Sequence, residues 1–119
     1  MPESSKLELL EGTYPAFSVV LPVYNEELAI ASTLDDIHKT LTAAGCEYEI
    51  IAVNDGSTDS TGKILRSRTD IKLVEHGINR GYGAALKTGI RHARYLLIVI
   101  TDADSPYPNA KIPELVALA

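Results

Sequence analysis

Asp102 and Asp104 follow, after Thr101, on Tyr95-Leu96-Leu97-Ile98-Val99-Ile100, an apolar run with the character of a parallel strand. On an extended segment the two side chains alternate, with small Ala103 between them, so both carboxylates could address one cation, directly and through water. Two carboxylates 4 Å apart repel by about 4 kcal/mol at an effective dielectric of 20, and a diphosphate placed beside them meets a similar penalty per charge pair. A divalent cation reverses that sign, and an all-oxygen donor set favours Mg2+ or Mn2+ over zinc. The competing reading is a solvated acidic loop, or a turn starting before Pro106.

Two further acids stand after apolar runs. Asp55 lies in Asn54-Asp55-Gly56-Ser57-Thr58-Asp59, behind Tyr48-Glu49-Ile50-Ile51-Ala52-Val53. Its carboxylate could accept N–H bonds from a planar base or O–H bonds from a ribose, although Asn-Asp-Gly-Ser is also good turn chemistry in its own right. Glu26 lies in Pro22-Val23-Tyr24-Asn25-Glu26, behind Phe17-Ser18-Val19-Val20-Leu21, and the first turn of a helix also suits it. Gly81-Tyr82-Gly83 lacks the third glycine of a dinucleotide fingerprint, with Leu86 in its place, and is read as a tight passage from loop to helix. Arg80 and Lys87 beside it could reach a phosphate or remain solvated. His38 and His92 fall in helical stretches and His76 in a loop; the three form no metal set.

The elements that must position these residues alternate in type. Apolar runs at 17–21, 48–53, 71–74 and 95–100 predict four strands. Between them, Ile30, Leu34, Ile37 and Leu41 make one helical face, with Asn25 as its N-cap and Gly45 as its stop. A second helix is expected within Thr58–Thr69 and a third over Gly81–Arg94. Gly89 inside the third costs about 1 kcal/mol relative to alanine, which implies close approach of helix to sheet. Strand and helix in strict alternation predict an α/β fold with a mainly parallel, doubly wound sheet. Such a sheet places Glu26, Asp55, Asp102 and Asp104 on one rim, near a topological switch point. Asn109 to Ala119 reads as the start of another helix.

The bulk properties bound the rest. The chain has 119 residues, one domain at most, expected as a lead-in over 1–15 and the folded unit over 16–119. A net charge of −5 with scattered basic residues excludes the electrostatic footprint of a nucleic-acid binder. Arg66 and Arg68, the nearest thing to a basic cluster, are expected on a solvated helix face. The single cysteine, Cys46, cannot form an internal disulfide and reads as a small, at least half-buried apolar residue. No signal core precedes the first strand and no apolar run is long enough to span a bilayer, so a reduced, cytoplasmic setting is expected. The sequence leaves open a membrane segment, and membrane association, in a longer parent protein.

Together, Val20-Leu21-Pro22-Val23-Tyr24-Asn25-Glu26, Asn54-Asp55-Gly56-Ser57-Thr58-Asp59, Asn79-Arg80-Gly81-Tyr82-Gly83-Ala84-Ala85-Leu86 and Asp102-Ala103-Asp104 resemble the family-2 glycosyltransferases of GT-A fold, from about Phe17 to Leu118. The third and fourth segments look most like the polyprenyl- or dolichyl-phosphate sugar synthase branch. The resemblance implies the Rossmann-like, nucleotide-binding half of such an enzyme, and inverting transfer of a hexose from a UDP- or GDP-sugar. It implies that Pro22, Tyr24 and Glu26 line the nucleoside site and that Asp55 contacts base or ribose. It also implies that Asp102 and Asp104 flank Ala103 as the metal pair, Asp104 the more direct ligand, with Mg2+ or Mn2+ between protein and diphosphate. Two departures stand out: Tyr95-Leu96 replaces Gly-Asp before the fourth strand, and Ser105-Pro106 replaces glycine and a small polar residue after the second metal aspartate.

By the same resemblance the acceptor site and the general base lie beyond Ala119, so the chain alone is expected to be inactive or nearly so, with a lipid phosphate as acceptor in the longer protein. Two rival readings remain. One is an inactive module of the same fold that forms homo-oligomers through an exposed sheet edge. The other, a sugar nucleotidyltransferase, needs a glycine-rich phosphate loop right after the first strand, and Pro22-Val23-Tyr24-Asn25 is not one.

Overall fold

Strand β1 (Phe17–Val23) is buried at all seven positions, a pattern that requires cover on both faces and neighbours on both edges. In the computed structural model, which describes residues 15–103, it has them. β2 (Tyr48–Asp55) lies on one side and β4 (Leu97–Ile100) on the other, with β3 (Lys72–His76) beyond β2. The order is β3-β2-β1-β4, and every pairing is parallel. The expected lead-in up to Tyr14, Asp104, Ser105-Pro106 and the expected final helix from Asn109 lie outside the described residues.

Alternate residues of β1 serve opposite faces. Val19, Leu21 and Val23 pack with Leu34, Ile37 and Leu41 of helix α1 (Ile30–Ala43) and with Leu65 of helix α2 (Thr61–Arg66). Val20, with Ile51 and Val53 of β2, meets Ala85 of helix α3 (Tyr82–His92) on the other face. The expected α/β architecture, a parallel sheet flanked by helices, is therefore present. No described helix is long and apolar enough to cross a membrane.

Two glycines behave as the sequence implies. Gly45 takes φ +73°, and its N–H bonds to Thr42 O while the Cys46 N–H bonds to Leu41 O, both at 3.0 Å. That pair of bonds is the Schellman ending of a helix. Gly89 faces the sheet, where a β-carbon would overlap Val20 Cγ1 and press on Val53 Cγ2. Valine is stiff at χ1 and cannot step aside, so the glycine sets the distance between α3 and the sheet.

Several expectations are corrected. α1 starts at Ile30 with Ala29 at its N-cap, and Asn25 does not cap it. Asn25 adopts φ 49° instead, and its side chain accepts the Thr58 N–H at 2.8 Å. His76 ends β3 where a loop was expected, whereas the second helix, Thr61–Arg66, falls within the expected 58–69. β4 is shorter than the apolar run, starting at Leu97. With β1 as its one described neighbour it stays half-buried, and Ile100 is exposed. Arg68 lies past the end of α2 and is largely covered, paired to Asp35 at 2.9 Å and Asp70 at 2.7 Å. Arg66 is exposed as expected and pairs with Glu75 at 2.6 Å. Cys46 is half-buried, and burial raises its thiol pKa.

Candidate functional site at the carboxyl rim of the sheet

Connections that leave β1 toward β2 and reach β4 on its opposite side make a switch point between β1 and β4, the position where open α/β sheets take ligands. A cavity of about 390 Å³ opens there. Pro22, Tyr24 and Glu26 enter it from the end of β1, Asp55 from the end of β2, Asp102 and Ala103 from beyond β4. Every sequence-predicted site residue within the described range is thus brought to one hollow; Asp104 lies outside that range. Val23, Asn79, Tyr82 and Ala85 also line it and were given no site role from sequence. The position of Tyr82 and Ala85 on the first turn of a helix behind a glycine passage was the available signal. Arg80 and Lys87 are exposed and do not line it.

The loops leaving β1 and β2 are stitched together. Asn25 N–H donates to Ser57 Oγ at 3.0 Å, Glu26 N–H to Thr61 Oγ1 at 2.9 Å, and Ser60 N–H to Glu27 Oε2 at 2.9 Å. With the Asn25–Thr58 bond, these fix the Glu26 backbone against the segment that follows Asp55. Ser57 therefore serves this seam, as an acceptor, and caps no helix of its own.

Asp55 is 3% exposed. Its Oδ1 accepts from His76 Nδ1 at 2.7 Å and from the Arg80 amide at 2.9 Å, and its Oδ2 from the Gly81 amide at 2.9 Å. The Asn79 side-chain amide donates to the Asp55 carbonyl at 3.3 Å. Behind it, His76 Nε2 lies 2.8 Å from Thr88 Oγ1 of α3. Burial acts to raise the Asp55 carboxyl pKa. The His76 bond, then those from Arg80 and Gly81, outweigh it and hold the pKa below the usual carboxylate value. The sign follows. A depressed folded-state pKa gives stability that is complete above the unfolded value, about 3.9, and is lost as pH falls through the folded value. Asp55→Asn should be less stable than the unmutated chain at pH 7 by about 2–4 kcal/mol, and urea unfolding of both should show that difference shrink as pH falls below about 4. Equal stability of the two proteins at pH 7 would remove the carboxylate from this account.

Asp102 is half-buried, and its Oδ1 accepts the Tyr82 hydroxyl at 3.0 Å. Ala103 is buried, its carbonyl held by Thr33 Oγ1 at 2.7 Å, and the Thr101 amide bonds to Val20 O at 3.1 Å. Those two anchors fix the backbone on both sides of Asp102. The described lining of the cavity includes three carboxylates, Glu26, Asp55 and Asp102, and no lysine or arginine. Among the described residues no three His, Cys, Asp or Glu side chains gather closely enough to hold an ion alone. The donor set nevertheless fits Mg2+ or Mn2+, since such ions are commonly bound by one or two carboxylates together with phosphate oxygens and water.

The sequence model of glycosyl transferase family 2 matches residues 18–119. An undecaprenyl-phosphate 4-deoxy-4-formamido-L-arabinose transferase of Proteus mirabilis is 38% identical over 107 residues, which is 86% of this chain and 33% of that protein. Among solved structures, a mannosyltransferase of Pyrobaculum calidifontis in complex with GDP-Man and Mn2+ superposes with TM-score 0.71 at 28% identity, over 96% of this chain and 37% of that one. S. aureus TarS in complex with UDP-GlcNAc gives TM-score 0.64 at 28% identity, over 76% and 28% of the respective chains. The chain spans about a third of the length of the curated relatives it matches.

Proposed function

The chain belongs to glycosyl transferase family 2, and on that premise we propose that its rim cavity holds the nucleoside diphosphate of a sugar donor. The donor is a UDP- or GDP-hexose, and the reaction is an inverting transfer to a polyprenyl phosphate. The observation that carries this reading is the imbalance of the lining: three carboxylates and no described cation around a hollow at the switch point. Such a lining repels a bare diphosphate and accepts one that arrives with a divalent ion.

The roles of the described residues follow from position, and that of Asp104 from the family resemblance. Pro22 and Tyr24 offer flat apolar surface to the nucleoside, and Glu26 and Asp55 accept its N–H or O–H groups. Asp102, oriented by Tyr82, and Asp104 hold the ion. The ion, when bound, supplies Lewis-acid neutralisation of the leaving diphosphate. A lipid phosphate is already an anion at neutral pH, so its attack needs little help from a general base. The acceptor surface is assigned to the two thirds of the relatives' length that this chain does not match, and with it the membrane association such an acceptor demands. Donor binding without turnover is expected of this chain.

Calorimetric titration of UDP- and GDP-sugars, with Mn2+ and then with chelator, tests the reading. Binding of one nucleotide class that depends on Mn2+ is the expected result. A folded sample that binds neither would overturn it. A second reading, an oligomerising module without catalysis, draws on β4: among the described residues this strand pairs only with β1, and Leu96 and Ile100 beside its outer edge are exposed. A dimer by size-exclusion mass, together with absent nucleotide binding, would favour that module.

A further inference from the structure

On the reading above Asp55 meets the nucleoside, yet its carboxylate already accepts three bonds from the protein itself. A carboxylate offers about four acceptor positions, so one is left for a ligand. An acceptor-only partner requires the hydrogen on Nδ1 of His76. In the neutral ring Nε2 is then an acceptor, and the Thr88 hydroxyl donates to it. The His76 side chain is 6% exposed, so water offers neither nitrogen a ready substitute. Asp55 and His76 are register partners at the ends of β2 and β3, and Thr88 lies in the middle of α3. The contact therefore joins three elements through one ring.

We propose that His76 is a positioning residue of the donor cavity: it orients the Asp55 carboxylate, which clamps the Arg80 and Gly81 amides and so fixes the segment that carries Asn79 and Tyr82. Those two residues line the cavity, and Tyr82 reaches across to Asp102. The ring thereby links the nucleoside wall to the carboxylate that follows β4. Gly56 gives the clamp room, since a β-carbon there would overlap the backbone of Ile78 and Asn79. The effect on ligand rests on the donor-site reading; the clamp itself does not.

The test measures amide hydrogen exchange and nucleotide affinity in the same samples of the 119-residue chain. His76→Leu keeps apolar bulk but removes both bonds. The Arg80 and Gly81 amides should then exchange about tenfold faster or more, the worth of one charge-assisted bond, while the β1 and β2 amides keep their protection. The dissociation constant for UDP or GDP with Mn2+ should rise by about the same factor. His76→Asn returns a donor near the Nδ1 position and should restore most of both. Thr88→Val leaves the ring in place and should give a smaller rise in the same direction. It carries the test if His76→Leu does not fold. Unchanged exchange at residues 80 and 81 in the folded variants overturns the proposal. Faster exchange there, in a parent chain that binds no nucleotide, supports the clamp and rejects the donor reading.

Discussion

Replacing Asp102 with alanine should lower the Mn2+-dependent affinity for the sugar nucleotide by about 100-fold and leave the residual affinity measured in chelator little changed. The magnitude follows from charge: one carboxylate within about 4 Å of a divalent ion contributes several kcal/mol even at an effective dielectric of 20, offset in part by desolvation. Asp102 is half-buried and its described partner is the exposed Tyr82 hydroxyl. Its loss should therefore cost the fold no more than about 0.5–1 kcal/mol. Tyr82→Phe separates orientation from charge. It keeps the carboxylate and removes the bond that aims it, and should weaken the Mn2+-dependent term by about tenfold. Titrations of the three proteins with and without Mn2+ decide the matter. An Asp102→Ala protein that loses affinity equally in chelator would show the carboxylate acting on the nucleotide itself.

Gly56→Ala should destabilise the chain by about 2–4 kcal/mol, among the largest effects of any single methyl group in this fold. The backbone there sits at φ +72°, and an added β-carbon would overlap the main chain of Ile78 and Asn79. Main-chain atoms cannot rotate away as the end of a flexible side chain can, so the 77–81 segment must lift from Asp55. Gly45→Ala is the matched control. It has nearly the same φ, +73°, with nothing within 4 Å of the added atom, and should cost only the conformational term, about 1 kcal/mol. Urea denaturation of both variants measures the difference. Equal losses would mean that the close approach at Gly56 carries no energy.

Much of this arrangement was legible in the sequence because it rests on local pattern. The β-branched runs marked the four strands, Ile30, Leu34, Ile37 and Leu41 marked the buried face of α1, and Gly45 marked its end. The placement of Glu26, Asp55 and Asp102 on one rim followed from topology alone, since parallel strands joined by right-handed crossovers must end on one edge. What escaped was decided by partners distant in sequence. Asn25 has the chemistry of a helix cap, but its side chain found Thr58, 33 residues away, and the start of α1 moved to Ile30. Strand order is a tertiary property, and no local pattern said that β4 pairs with β1 on the side away from β2. His76 lay two residues past the expected end of its strand. Once β3 runs on to it, the register sets it beside Asp55, and no spacing in the sequence carries that information.

The switch point that makes the cavity is also expected to divide its walls in order of folding. Phe17 pairs with Tyr48 on one side, 31 residues along the chain, and with Leu97 on the other, 80 residues along. Closing the longer loop is entropically dearer and is expected to come after the shorter one. The wall made by the β1 and β2 exits is thus expected to form earlier, and Asp102 to arrive later, with β4. A ligand that bridges the two walls makes contacts absent until folding is nearly complete. It is expected to slow unfolding while leaving the folding rate almost unchanged, so that occupancy of the site sets the lifetime of the native state.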